Sequence, residues 1–226
     1  MKQFISAIPV LLAVVYAGQA QAVTFAESLD AGDNLNTAQV IPSGTFSLDS
    51  ISGSLFENDA DLFQIFLTGD QTFSATTKNA QTDQISIDDL LGISTELAAD
   101  PQLFLFDSAG RGVYTNNDRF GSLQPTLSSS GFSPTGSGIY YLAISSSGYN
   151  PVSNGASIFP NAEDGEVLPN NSNFILTDFV GTSDTNGRYD IALSGAKAVP
   201  EPTSILGILS LSAWGAVRRM KKKVKQ

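Results

Sequence analysis

Three runs of this chain, DLFQIFLT (61–68), LFLF (103–106) and IYYLAI (139–144), are apolar in both phases of an extended backbone. Side chains alternate between the two faces of a strand, so Leu62 and Phe66 point away from Phe63, Ile65 and Leu67, and both sets need burial. Strands of this kind lie centrally, here between two sheets and a covering loop. Other β-rich runs occur at Gly44–Leu48, Ile51–Leu55, Thr72–Thr77, Gly112–Thr115 and Tyr189–Ser194, separated by clusters of Gly, Asn, Asp, Ser and Pro. Helical spacing is scarce. SIDDLLGISTELAA has Ile87, Leu90, Leu91 and Leu97 near a helical period, with Ser86 or Asp88 as caps, and Gly92 weakens it. Strands joined by turn-rich loops predict an all-β fold, an antiparallel β-sandwich. No internal repeat is evident, and Tyr149–Asn186 reads as a long excursion before the last strand.

Charge is unevenly distributed along the chain. Of 12 basic and 22 acidic residues, Val23–Ala198 holds 5 and 21, a net of −16, while the segment from Val199 onward is net +5. A body this acidic repels nucleic acid and attracts cations, so no nucleic-acid partner is expected. The chain has no histidine and no cysteine. Ser-His-Asp and Cys-His catalysis and the common zinc sites are thereby excluded. Carboxylates, hydroxyls and amides remain, and they suit oxygen-seeking cations such as calcium.

Both ends read as addresses. Residues 1–22 have Lys2, an apolar stretch from Phe4 to Ala17, and Ala20-Gln21-Ala22 as a small-x-small cleavage site. This is the pattern of a secretory signal peptide, with Val23 as the mature start. Its 14 apolar residues are too few for an ordinary membrane span. At the other end, Thr203–Val217 as a helix would be about 22 Å long, short against a hydrocarbon core of about 30 Å. Arg218, Arg219, Lys221, Lys222, Lys223 and Lys225 follow it. They would sit at the cytoplasmic face and lengthen the span by snorkelling.

Val199-Pro200-Glu201-Pro202, then the apolar 203–217, then the basic 218–226, resembles the PEP-CTERM sorting signal of bacteria that carry an exosortase. The resemblance covers 199–226. It implies transient membrane insertion, recognition by an exosortase-type membrane protease, and a body at the cell surface, outer envelope or extracellular matrix, in organisms that make exopolysaccharide and biofilm. A plain tail anchor preceded by a helix-stopping Pro-x-Pro also fits these residues. The signal peptide at the opposite end favours sorting.

The body, 23–198, carries a second resemblance. ISGSLFENDADLFQIFLTGDQTFSATT, DPQLFLFDSAGRGVYTNND, GSGIYYLAIS and GRYDIALSG follow in the order seen in the bacterial pre-peptidase C-terminal domain, a jelly-roll-like sandwich. YYLAISSSGYNPVSNGASIFP with GRYDIALSGA is similar to a subgroup of PEP-CTERM surface proteins built on that domain. The resemblance implies an accessory or adhesive module without catalysis. In some relatives an acidic lead-in packs against an Asp-x-Asp and binds calcium. By that analogy Asp33 and Asn34, from ESLDAGDNLNTAQ (27–39), and Asp59 and Asp61 are candidate Ca²⁺ ligands. The same residues also fit turn formers and solvating charges, and no EF-hand spacing supports them.

Other polar groups read as turn chemistry first. Asp107-Ser108-Ala109-Gly110 is a turn whose glycine takes positive φ. Asn116, Asn117 and Asp118 lie in the next loop, within reach of a cation or a sugar hydroxyl. Tyr114, Tyr149 and Tyr189, near strand ends, are the aromatics placed to stack on sugars, whereas Tyr140 and Tyr141 fall in a core strand and Trp214 in the tail. Carboxylate pairs suited to glycoside hydrolysis are abundant, but no nucleophile with a base, phosphate loop or cofactor fingerprint accompanies them. No catalytic residue is assigned. A secreted hydrolase, or an accessory domain of one, is the alternative to an adhesive surface protein.

Overall fold

The computed structural model describes residues 22–41, 47–69, 71–78, 100–161, 165–183 and 187–199. Among them every regular element is a strand. In chain order these are β1 (Ala22–Ala26), β2 (Gln39–Val40), β3 (Ser47–Leu55), β4 (Ala60–Leu67) and β5 (Ser74–Thr77). Then come β6 (Pro101–Asp107), β7 (Gly112–Asn116), β8 (Thr126–Leu127), β9 (Gly138–Ser146) and β10 (Tyr149–Ser153). The last are β11 (Ala156–Ser157), β12 (Glu166–Val167), β13 (Asp178–Gly181), β14 (Gly187–Ser194) and β15 (Ala196–Lys197).

The main ladder runs β12-β7-β6-β9-β4-β15-β3-β14-β5-β8. Its neighbours are antiparallel, and β1 and β2 join β3 and β4 as parallel partners. β15 pairs with both β4 and β3 and turns the ladder back on itself, giving a nearly closed, barrel-like sheet. The core fills the space between its halves. Phe63, Ile65 and Leu67 of β4, with Leu103 and Leu105 of β6 and Leu142 and Ile144 of β9, meet Leu48, Ile51 and Leu55 of β3 and Tyr189 and Ile191 of β14. Each such side chain contributes about 1.5–3 kcal/mol on full burial.

The opposite phase is buried as well, as the sequence pattern demands. Leu62, Phe104, Phe106 and Ala143 project from the other face of β4, β6 and β9 and pack against Ile158, Phe159, Leu176 and Phe179. Phe104 lies 5.8 Å from Phe159 and 5.9 Å from Phe179, ring centre to ring centre. The cover is more ordered than a loop. Tyr149–Asn186, expected as one long excursion, contains the three-stranded sheet β11-β10-β13, and it also lends β12 to the edge of the main ladder. A second difference concerns β3, which is one strand through Asp49 and Ser50 where the sequence suggested two.

Several sequence expectations lie outside the described residues: Ala20 and the rest of 1–21, the helical stretch 86–99, Pro200, Glu201, Pro202, the apolar 203–217, and the basic Arg218, Arg219, Lys221, Lys222, Lys223 and Lys225. At the margins, Ala22 begins β1, and the Val199 amide donates to the Ile41 carbonyl at 3.3 Å. Ala22 and Lys197 are both register partners of Ser47, one on each side of it. Both ends of the described body therefore emerge at the same end of β3.

Candidate metal centre

At the far end of β3 and β4 the main core closes over a carboxylate. Asp61 follows the same phase as Phe63 and Ile65, so β4 aims it inward, and it is fully buried. Tyr189 of β14 faces it, and its hydroxyl donates to Asp61 Oδ2 at 2.8 Å. Phe63 packs edge-on to the Tyr189 ring at 6.5 Å and to Phe25 at 6.2 Å, which fixes the phenol in place. Asp61 Oδ1 has no hydrogen-bond partner. A buried, unpaired carboxylate oxygen is costly unless a proton or a cation occupies it.

The lead-in from β1 caps this end. Glu27 Oε1 accepts from the Ala31 amide at 2.8 Å, and Oε2 from the Ser54 amide at 3.1 Å and the Tyr189 hydroxyl at 3.4 Å. These bonds fold the chain back so that Asp30 swings over the same spot. Carboxylate oxygens of Glu27, Asp30 and Asp61 lie within 4.8 Å of one another. Oxygen ligands of a calcium ion, each about 2.3–2.6 Å from the metal, have separations of this order. Gly53, opposite Tyr189 in the ladder, makes the convergence sterically possible: a Cβ there would collide with the Tyr189 hydroxyl and Glu27 Oε2.

Electrostatics sharpen the picture. Burial, and after it the charges of Glu27, Asp59 and Asp30, push the Asp61 carboxyl up to about 8, against the opposing effect of the Tyr189 hydrogen bond. Burial also raises Asp59, opposed by its bond from the Phe56 amide. The Tyr189 phenol is driven far up by burial and by the Asp61 and Glu27 charges, so it remains a donor. Ion pairs among the described residues join Lys78 to Asp190 and Arg111 to Asp107, and neither reaches the cluster. Its negative charge has no cationic side chain among the described residues to balance it.

The four residues singled out from sequence divide between two places. Asp59 and Asp61 stand at the cluster. Asp33 and Asn34 lie further along the lead-in, where Asn34 Oδ1 accepts from the Asn36 amide at 3.0 Å and the Thr37 amide at 3.3 Å, an Asx turn. Asn34 Nδ2 donates to Asp33 Oδ1 at 3.4 Å. Glu27, Asp30 and Tyr189 complete the cluster and escaped the sequence reading as ligands, although Glu27-x-x-Asp30 opens the acidic lead-in. Asp107 does turn work, accepting from the Ala109 and Arg111 amides, and Gly110 has φ of 79°. Asn116 is buried and accepts from the Thr126 amide at 3.2 Å. Tyr114 and Tyr189, expected near strand ends as candidates for stacking on sugars, are interior, and Tyr149 stacks on Phe179.

Comparison with known protein families, curated proteins and solved structures returns no match for this chain.

Proposed function

We propose that the protein is an exported, non-enzymatic bacterial surface or matrix protein whose jelly-roll-like body holds a calcium ion and serves adhesion or exopolysaccharide association. The reading rests on Asp61: a sealed carboxylate with one unpartnered oxygen, faced by two further carboxylates. Calcium takes six to eight oxygens. Glu27, Asp30 and Asp61 supply carboxylates, Asp59 adds charge nearby, and water or main-chain oxygens make up the number. A bound ion would fasten the lead-in to β4 and so secure β1 against β3.

Destination is argued from the two ends of the chain. The signal-peptide pattern of 1–22 directs export, and the PEP-CTERM-like order of 199–226 directs transient membrane insertion and cleavage by an exosortase-type protease. Replacing Pro200, Glu201 and Pro202 by alanine in the native host tests this. Retention of the intact tail and loss of the body from its normal location are expected. Unchanged processing and location would sink the sorting proposal.

The hydrolase alternative has less support. Asp61, the carboxyl whose proton affinity would suit a general acid, is closed off from solvent and cannot touch a glycosidic oxygen.

A further inference from the structure

A recess of about 240 Å³ lies where the small sheet meets the outer face of β6 and β7. Its apolar surface comes from Phe104, Phe159 and Pro151, all buried, with Pro160 at the mouth. Amides and hydroxyls surround that surface: Gln102 and Thr115 low in the wall, and Asn117, Asn150, Ser157 and Asn161 nearer the opening. None of the described residues lining it is ionisable.

The walls are held rigidly. Gln102 Nε2 donates to the Ser146 carbonyl at 2.9 Å and the Tyr149 carbonyl at 3.3 Å, tying the start of β10 to the sheet. The Thr115 hydroxyl donates to the Leu103 carbonyl at 2.7 Å, and the Ser157 hydroxyl to the Phe159 carbonyl at 2.6 Å. Against this background Asn117 Oδ1 is buried without a hydrogen-bond partner. Asn117 Oδ1 is thus an acceptor left over by the protein's own hydrogen bonds.

We infer that this recess is a binding subsite for one pyranose ring of a neutral saccharide. A sugar ring has an apolar C–H face suited to Phe104, Phe159 and Pro151, and its rim of hydroxyls both donates and accepts, as do the amides around the opening. The volume is below the roughly 300–1,000 Å³ of sites for drug-sized ligands, which limits the occupant to a single ring. A cation is disfavoured because no carboxylate is among the described residues of the wall. An anionic sugar is disfavoured because the body is net −16 and the described lining offers no cationic group. Register places the recess along β4. Gln102 pairs with Ser145, and Ser145 with Ala60, at the end of β4 away from Lys197. The recess therefore lies level with the end of β4 that is opposite Lys197.

This inference deepens the polysaccharide part of the proposed function, and its test is independent of sorting. Full-length ¹⁵N-labelled protein is titrated through a millimolar series of D-glucose, D-galactose, D-mannose and N-acetyl-D-glucosamine, with D-glucuronate as the charged comparison and dextran as the polymer. Saturable shifts of the Asn117, Asn150 and Asn161 side-chain amides with at least one neutral sugar are expected, and weaker ones with glucuronate. Response to a monosaccharide but not to dextran would assign the subsite to free sugar or chain ends, and response to both would assign it to internal units of a polymer. Asn117→Leu, close in volume, should weaken binding about tenfold by removing a buried amide partner. Should that variant fail to fold, Asn161→Ala at the exposed rim decides the question by loss or retention of the shifts. Absence of saturable shifts with every neutral sugar, or shifts unchanged in the folded variants, overturns the inference and leaves the sorting proposal standing.

Discussion

Asp61→Asn separates the two ways in which the buried carboxyl can be neutralised, by a proton or by a cation. Without a cation, the folded protein keeps Asp61 protonated up to about pH 8, whereas an unfolded chain loses that proton near 3.8. Between those values the folded state binds more protons than the unfolded one, so the Asp61 contribution to stability falls as pH rises. Below the window both states are protonated, above it both are ionised, and the slope vanishes. At about 1.4 kcal/mol per pH unit, the loss accumulated by pH 7 has a ceiling of about 4 kcal/mol. Asparagine has no proton to lose, and its amide donates into the space before Glu27 and Asp30. Cation-free Asp61→Asn should therefore be more stable than wild type at pH 7, by about 2 kcal/mol and at most about 4, which is roughly 5–10 °C in melting temperature. Near pH 4 the two proteins should converge.

Calcium acts in the opposite direction. At a concentration a hundredfold above its Kd, a ligand that binds the folded state alone contributes about 2.7 kcal/mol. Wild type should gain on that scale, and Asp61→Asn, with one carboxylate fewer at the centre, should gain little. Calorimetric melts of both proteins at pH 4.5 and pH 7, in chelator and in calcium chloride, measure all four corners. A variant less stable than wild type in chelator at pH 7 that still rises with calcium would refute the reasoning on both counts. It would make Asp61 an ordinary hydrogen-bonded core residue and place any ion elsewhere.

Two further substitutions probe the frame around these sites. Gly53→Ala puts a methyl group against the Tyr189 hydroxyl and Glu27; a loss of about 1–3 kcal/mol in urea unfolding and a weakened calcium response are expected. Phe179→Ala removes the ring between Phe104 and Tyr149 and should cost about 3–5 kcal/mol, with hydrogen exchange accelerating first in β10 and β13.

The central strands were legible because their pattern has few alternatives. Both-phase apolar runs at β4, β6 and β9 required a layer on each side, and each side has one. What the second layer looks like was not legible. YNPVS contains a proline, AS is two exposed residues, and DFVG has one buried position. None of these carries a strand signal by itself. They hold together because Ile158, Phe159, Leu176 and Phe179 find an apolar face already built by β4, β6 and β9, a tertiary effect that local composition does not encode. β1 was hidden differently, since AVTFA straddles the expected cleavage site and pairs in parallel with β3, a partner that spacing does not announce. At the acidic cluster, an acidic lead-in facing Asp-x-Asp was readable. Which acids converge depends on the fold-back at Glu27 and the Asx turn at Asn34, and both are set by individual hydrogen bonds.

Placement along β4 gives these separate features a common logic. Phe66 and Leu67 pair with β15, from which the chain leaves through Val199 toward Pro200, while Asp61 and Ala60 lie at the other end beside the acidic cluster and level with the saccharide recess. Five residues of strand separate Asp61 from Phe66, about 17 Å. A body held at a membrane by 199–226 would turn its carboxylates outward, away from anionic headgroups that would repel a net charge of −16. The Val199 amide bond to Ile41 ties the exit point to the sheet. Ala198 is buried in the main core of the body, and Val199 follows it directly. A protease reading Pro-Glu-Pro, as proposed above, would meet the folded body close by, since the buried Ala198 precedes Pro200 by two residues. Inserting a short Gly-Ser spacer between Ala198 and Val199 should speed processing if that crowding limits the rate, and an unchanged rate would place the limiting step in recognition of the tail alone.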